Sequence, residues 1–182
     1  VHGGMGFIEE TGACQHLRDS RIATIYEGTT GIQAADLAGR KLSMDQGAAM
    51  RALIAEIEVT AKELSSAPGD DLATIRVVLE EAIRALTEAT KWMLACRDPN
   101  AVMAVSVDYM MLVGYVCGGW QMARAAQVAQ NKLMAGQDPV FHEAKVITAR
   151  FYSEHVLPRG AGLLRSIQHG GVSIMGLTEE QF

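Results

Sequence analysis

The sequence predicts an all-α protein: an up-and-down four-helix bundle preceded by a short helical segment. Three observations carry that reading. Apolar residues recur every three or four positions along four long stretches, as one buried face of a helix requires. Aliphatic residues, alanine and ten methionines dominate while aromatics make up 5%, a composition that suits helices better than a sandwich or barrel. Turn and cap signals fall between the stretches, and no strand-like run of useful length interrupts them.

The elements follow in order. Thr30 to Gln33 reads T-x-x-Q, a capping box that opens a short helix through about Leu42. Ser43 to Gln46 repeats the signal as S-x-x-Q, and Met50, Leu53, Ile54, Ile57, Ala61 and Leu64 then mark one face of the next helix. "SSAPGDD" ends it. Leu72, Ile75, Leu79, Ala82, Ile83, Leu86 and Met93 form the face of a third helix, stopped by "RDPN". Asp98 and Pro99 both stop and restart the chain, since proline suits a first helical turn. The fourth helix carries Val102, Val105, Tyr109, Leu112, Val113, Val116 and Trp120, a stripe wide enough for a central place in the bundle. Asp138 and Pro139 repeat the cap for the last long helix, whose Val140, Ala144, Ile147 and Phe151 are expected to face the core. A kink is expected near Pro158, and a left-handed glycine cap at Gly170 or Gly171. Residues 1–42 are read as one element and residues 43–182 as the bundle.

Composition also excludes functions. A net charge of −5 with interspersed basic residues argues against a nucleic-acid or anionic-membrane partner. The most apolar run, Ala101 to Ala123, contains Ser106, Asp108, Gln121 and Gly118–Gly119, which fits a buried bundle helix better than a membrane span. Cys14, Cys96 and Cys117 form no CxxC, so a disulfide framework or zinc cluster is not expected and a reducing cytoplasm fits. "VHGGMGFIEE" has neither the basic opening nor the apolar core of a signal peptide, and a glycine cluster so near the start predicts a piece of a longer chain.

Chemistry narrows quickly. No Glu is followed three positions later by His, the pair that builds di-iron sites in bundles, and no metal is expected. No GxxxxGK[ST] occurs, "GGMGFIE" breaks GxGxxG at its last position, and the five histidines are scattered. The remaining candidate is Glu27, in "TIYEGTTGIQ", between the apolar Ile25 and Tyr26 and the glycines Gly28 and Gly31. It lies just upstream of a helix start, where unpaired N–H groups and the positive dipole end can hold an anion on Thr29, Thr30 and the backbone to Gln33. An apolar setting would make its carboxylate a better proton acceptor than in water. From spacing alone, a solvated glutamate near a helix start is the commoner explanation.

Residues 3–42 change that balance, because they resemble the C-terminal flavin and active-site segment of the acyl-CoA dehydrogenases. "GGMGFIEETGACQHLRDSRI" is similar to the family's Q-x-x-G-G-x-G-[FY] flavin signature, with Glu10, Arg18 and Asp19 at its acidic and Arg-Asp positions and Gln15 where a basic residue is usual. "IYEGTTGIQ" is similar to the I-Y-E-G-T segment that holds the catalytic base. The resemblance implies α,β-dehydrogenation of an acyl-CoA thioester to a trans-2-enoyl-CoA, with FAD as cofactor. Glu27 would take the α-proton while the β-hydrogen leaves as hydride to the flavin N5, and the Glu27 backbone N–H would help hold the thioester carbonyl. Gly28 would lie against the substrate, Thr29 and Gly31 would face the ADP half of FAD, and Gly3 and Gly4 would meet the pyrophosphate of a flavin bound mainly by a neighbouring subunit. A homo-oligomer, dimer or tetramer, and electron-transfer flavoprotein as acceptor are implied as well. The 140 residues after Leu42 resemble the extra C-terminal helical domain of the longer members, the group that contains enzymes for 3-methylmercaptopropionyl-CoA. The chain alone is expected to be inactive. A non-catalytic interaction or oligomerisation module is the alternative, since no titratable cluster follows Leu42.

Overall fold

The computed structural model describes residues 2–174 and 176–181. Among them every regular element is helical. Two 3₁₀ turns, Gly3–Gly6 and Glu9–Thr11, lead into α1 (Ala13–Ile22). A loop follows to α2 (Thr30–Ala35), which runs through a π-helical turn, Asp36–Lys41, into α3 (Leu42–Met44). The long helices are α4 (Ala48–Leu64), α5 (Asp70–Ala95), α7 (Ser106–Met134) and α8 (Pro139–His155), with α6 (Pro99–Ala104) before α7. The short α9 (Arg159–His169) and α10 (Gly171–Ile174) follow.

The centre of the bundle is the pair α5 and α7, and each packs against α4, α8 and α9. Ile57 and Leu64 from α4, Leu72, Ile75, Leu79 and Leu86 from α5, and Tyr109, Leu112 and Val116 from α7 are removed from solvent. Each such side chain contributes roughly 1.5–3 kcal/mol when buried, so this seam dominates stability. Two polar links fix its register. The Thr90 and Tyr109 hydroxyls lie 2.9 Å apart in the core, and Thr90 Oγ1 also donates to the Leu86 carbonyl at 2.8 Å. Trp120 Nε1 donates to Thr60 Oγ1 at 2.7 Å, which ties α7 to α4. Gly119 is there because the chain after α8 comes so close: a Cβ on it would stand 2.7 Å from both Leu157 methyls.

The expected helices form, with their ends and one face corrected. The N-cap of α2 is Thr29 rather than Thr30, and its Oγ1 accepts from the Ile32 N–H. The Ser43 box does not form, because Ser43 lies inside α3 and its hydroxyl donates back to the Gly39 carbonyl. Asp45 caps α4 in its place, accepting from Gly47, Ala48 and Ala49 N–H at 2.8–3.0 Å. Those three donors stabilise the ionised carboxylate and lower its pKa, the Ala49 bond most. Asp98 and Asp138 do cap their helices, accepting from Asn100 N–H and Phe141 N–H. The fourth helix breaks at Val105 into α6 and α7, and the last breaks at Val156–Pro158 into α8 and α9. Gly170 is right-handed, φ −76°, rather than a left-handed cap, and its carbonyl accepts from the Ile174 N–H of the next turn.

The face of α8 is inverted relative to expectation. Val140, Ile147 and Phe151 are 80%, 65% and 58% exposed and Ala144 is exposed, while Val146, Ala149 and Ser153 face α5 and α7. Gly118 of α7 leaves the space that the Tyr152 ring of α8 fills, and with Tyr152 seated there, its hydroxyl donating to the Tyr115 carbonyl at 3.2 Å, the face of Val146, Ala149 and Ser153 turns inward.

Burial is one-sided along the chain. No described residue before Ala34 is buried; Ala34, Ala38 and Leu42 then pack one face of α2, the π-helical turn and α3 onto the bundle. The Asp36–Lys41 turn carries a local ion cluster, with Asp36 bridged to Arg40 at 2.5 Å and to Lys41 at 3.1 Å. Among the described residues no helix is long and apolar enough to cross a membrane.

Candidate active site

The loop between α1 and α2 is closed by the Thr30 N–H, which donates to the Thr24 carbonyl at 3.3 Å. At its tip Glu27 has φ 56° and Gly28 has φ 100°, two consecutive residues in the left-handed half of conformational space. Glycine meets no penalty there, but a Glu does, on the order of 1 kcal/mol or more. The Gln33 side-chain amide donates to the Glu27 carbonyl and holds the strained residue from the first turn of α2. A side chain at Gly28 would also meet Ile32 and Gln33, its Cβ standing 3.1 Å from Ile32 Cγ2 and 3.3 Å from Gln33 Nε2. The Glu27 N–H donates to no acceptor among the described residues.

Glu27, Gly28, Thr30 and Gln33 line an open groove of about 310 Å³ together with Tyr26 and, from α7, Met110. The expected dryness is absent in this chain. Glu27 is exposed, and Ile25 and Tyr26 are more than half exposed, because no element among the described residues packs over that side of the loop.

The other expected residues are spread out. Thr29 uses its oxygen as the acceptor of the α2 cap, which leaves its O–H free to donate. The nearest atom to a Cβ on Gly31 would be Thr29 Oγ1, at 3.9 Å. Gly3 and Gly4 lie in the first 3₁₀ turn, away from the groove, and nothing stands within 4 Å of where a Cβ would be on either. Between them and the loop, Arg18 reaches Glu9 at 3.4 Å, and the Gln15 amide donates to Asp19 at 2.6 Å. In sequence Gln33 reads only as half of a capping box, and only the fold shows its amide turned to the Glu27 carbonyl as the holder of the loop. Among the described residues no cluster of His, Cys, Asp and Glu could hold a metal ion.

Residues 53–178 match the model described as "Acetyl-CoA dehydrogenase C-terminal like". The chain belongs to the acyl-CoA dehydrogenase family. The family's "Acyl-CoA dehydrogenase, C-terminal domain" matches residues 1–42, the part that carries the Glu27 loop. Among curated acyl-CoA dehydrogenases, the chain is similar to 3-methylmercaptopropionyl-CoA dehydrogenase of Ruegeria pomeroyi, 44% identical over 86% of this chain and 27% of that protein. It is 33% identical to the broad-specificity linear acyl-CoA dehydrogenase FadE5 of Mycobacterium tuberculosis over 99% of this chain and 31% of the relative. The human short-chain specific acyl-CoA dehydrogenase is 52% identical over 42 residues, 23% of this chain and 10% of the relative. The chain thus spans between about a quarter and a third of the first two relatives.

Proposed function

We propose that this chain is part of a flavin-dependent acyl-CoA dehydrogenase, in which Glu27 is the base that takes the α-proton of an acyl-CoA thioester. The observation that supports it best is the Glu27 turn itself: a carboxylate and an unpaired backbone N–H on one residue, held left-handed by the Gln33 amide. A base next to a donor for the developing thioester oxyanion is what enolisation at the α-carbon needs. A strained, exposed acid with no structural partner is otherwise a cost without a benefit to the fold. Gly28 leaves room for the acyl chain's thioester end beside it.

FAD, when bound, accepts the β-hydrogen as hydride. The residues present suit such a group: the bare turn at Gly3 and Gly4 lets a pyrophosphate approach the backbone, and Thr29 and Gly31 offer a hydroxyl and an unobstructed backbone at the start of α2. On this reading residues 1–42 complete the flavin and substrate site with chain supplied by the rest of the enzyme and by a neighbouring subunit of a dimer or tetramer. Residues 43–182 are the extra helical domain, electron-transfer flavoprotein is the acceptor, and the enzyme works in the cytoplasm.

Glu27→Gln in the longer protein tests the assignment, with turnover measured on an acyl-CoA and an artificial electron acceptor. A fall in kcat of about 10²-fold or more with KM little changed is expected; near wild-type turnover would overturn it.

A second reading has its own observation. The outward apolar stripe of α8, Val140, Ala144, Ile147 and Phe151, suits a helical interaction module. Sedimentation of the chain at rising concentration tests the self-association form, which a strictly monomeric species would remove.

A further inference from the structure

The groove between α7 and α8 gathers basic side chains. Arg124 and Val128 of α7 and Phe141, His142 and Lys145 of α8 line an open groove of about 450 Å³. Its lining contains no Asp or Glu, although the chain as a whole carries a net charge of −5. Three cations of the bundle are paired with acids of their own helix, in Arg76–Glu80, Lys91–Glu88 and Arg150–Glu154. Neither Arg124 nor Lys145 pairs with a carboxylate among the described residues. Each lies over an aromatic ring instead, Arg124 at 5.4 Å from the centre of Trp120 and Lys145 Nζ at 5.0 Å from that of Phe141. Arg124 Nη1 also donates to Gln121 Oε1 at 3.3 Å, and the ring contacts leave its other N–H donors and those of Lys145 for an anion. The His142 ring meets the edge of Phe141 at 5.2 Å, so the third basic group lies beside the same ring.

The remaining wall is apolar and open. Val128 and Phe141 are each more than half exposed, and the Ala129 floor is buried. Cations beside uncovered hydrocarbon match a ligand that has both an anionic end and an apolar one. A nucleic acid would call for a longer basic track, and a simple anion would leave the hydrocarbon uncovered.

We propose that this groove binds a free anionic amphiphile, its carboxylate or phosphate head held by Arg124, His142 and Lys145 and its alkyl chain laid along Val128 and Phe141. The site is separate from the Glu27 groove and does not depend on the role given to Glu27.

Titration of the full chain with decyl phosphate and with decanoate, both below their micelle concentrations, tests the proposal by calorimetry and amide chemical shifts. One saturable site is expected, with shifts centred on 121–129 and 141–145. Binding should be at least about tenfold tighter than that of inorganic phosphate or decanol. The double substitution Arg124→Glu with Lys145→Glu should weaken it at least about tenfold while the helical circular dichroism is unchanged. If that variant does not fold, the exposed single substitutions Lys145→Gln and Phe141→Ser are each expected to weaken binding about threefold or more. Equal affinity for decanol or for inorganic phosphate, indifference to the substitutions, or a response only to phosphatidylglycerol vesicles would overturn it.

Discussion

The Gln33 side-chain amide donates to the backbone carbonyl of Glu27, six residues earlier, and so spans the loop that carries the proposed base. Because Glu27 sits at φ 56°, this bond opposes a local strain instead of adding to an already favourable turn. Gln33→Leu therefore should release the loop and leave the bundle intact. Amide hydrogen exchange of residues 24–30 is expected to rise about fivefold, as loss of a bond worth about 1 kcal/mol implies, with the global melting midpoint unchanged. In the longer enzyme the same change should lower kcat more than it raises KM.

The buried hydroxyl pair gives an asymmetric prediction. Thr90 has two partners, Tyr109 and the Leu86 carbonyl, whereas the Tyr109 hydroxyl has Thr90 alone among the described residues. Tyr109→Phe removes a hydroxyl and leaves Thr90 bonded, at a cost of about 1 kcal/mol. Thr90→Val strands the Tyr109 hydroxyl in the core and should cost more, about 1–3 kcal/mol. Urea denaturation of the two variants checks the order. Burial raises the Tyr109 pKa while the Thr90 bond opposes it, so the phenol stays neutral at ordinary pH and no charge complicates the comparison.

Two neighbours on α8 separate the inner from the outer face. Val146→Ala should destabilise the chain by about 1–3 kcal/mol through the void it leaves against the core, because Val146 is 4% exposed. Ile147→Ala, on the open side, should stay within about 0.5 kcal/mol in the monomer. Equal losses would mean that α8 is rotated relative to the structure.

Acid should weaken the π-helical turn. Asp36 is held down to a pKa of about 2, first by its hydrogen bond with Arg40 and then by that with Lys41, against an ordinary value of 3.8. A depressed carboxylate stabilises the fold fully above its unfolded pKa, and that contribution is lost as pH falls from about 4 through about 2. The stability gap between wild type and Asp36→Asn is thus expected to be constant near neutral pH and to close over that window. Urea midpoints measured at several pH values check it; a gap independent of pH would show that the pairing adds nothing.

Local signals determined much of this protein. Apolar spacing at 3.6 residues specified the long helices and their number, and Asp98–Pro99 and Asp138–Pro139 marked real starts, because a cap is an interaction between residues close in the chain. The loop around Glu27 was legible for the same reason: the acid, its flanking glycines and the helix start all lie within ten residues. What depends on distant neighbours was decided by the tertiary structure alone. The sequence of α8 offers Val140, Ala144, Ile147 and Phe151 as its core face, yet the space at Gly118 of α7 takes the Tyr152 ring and turns the Val146, Ala149 and Ser153 face inward, since packing rewards fit between two surfaces and hydrophobicity describes only one. The Gln33 bond to Glu27 and the gathering of Arg124 and Lys145 along one groove of α7 and α8 are likewise invisible until the backbone brings them together. Periodicity can say that a helix has an apolar side, but which side is covered depends on the shape of whatever lies against it.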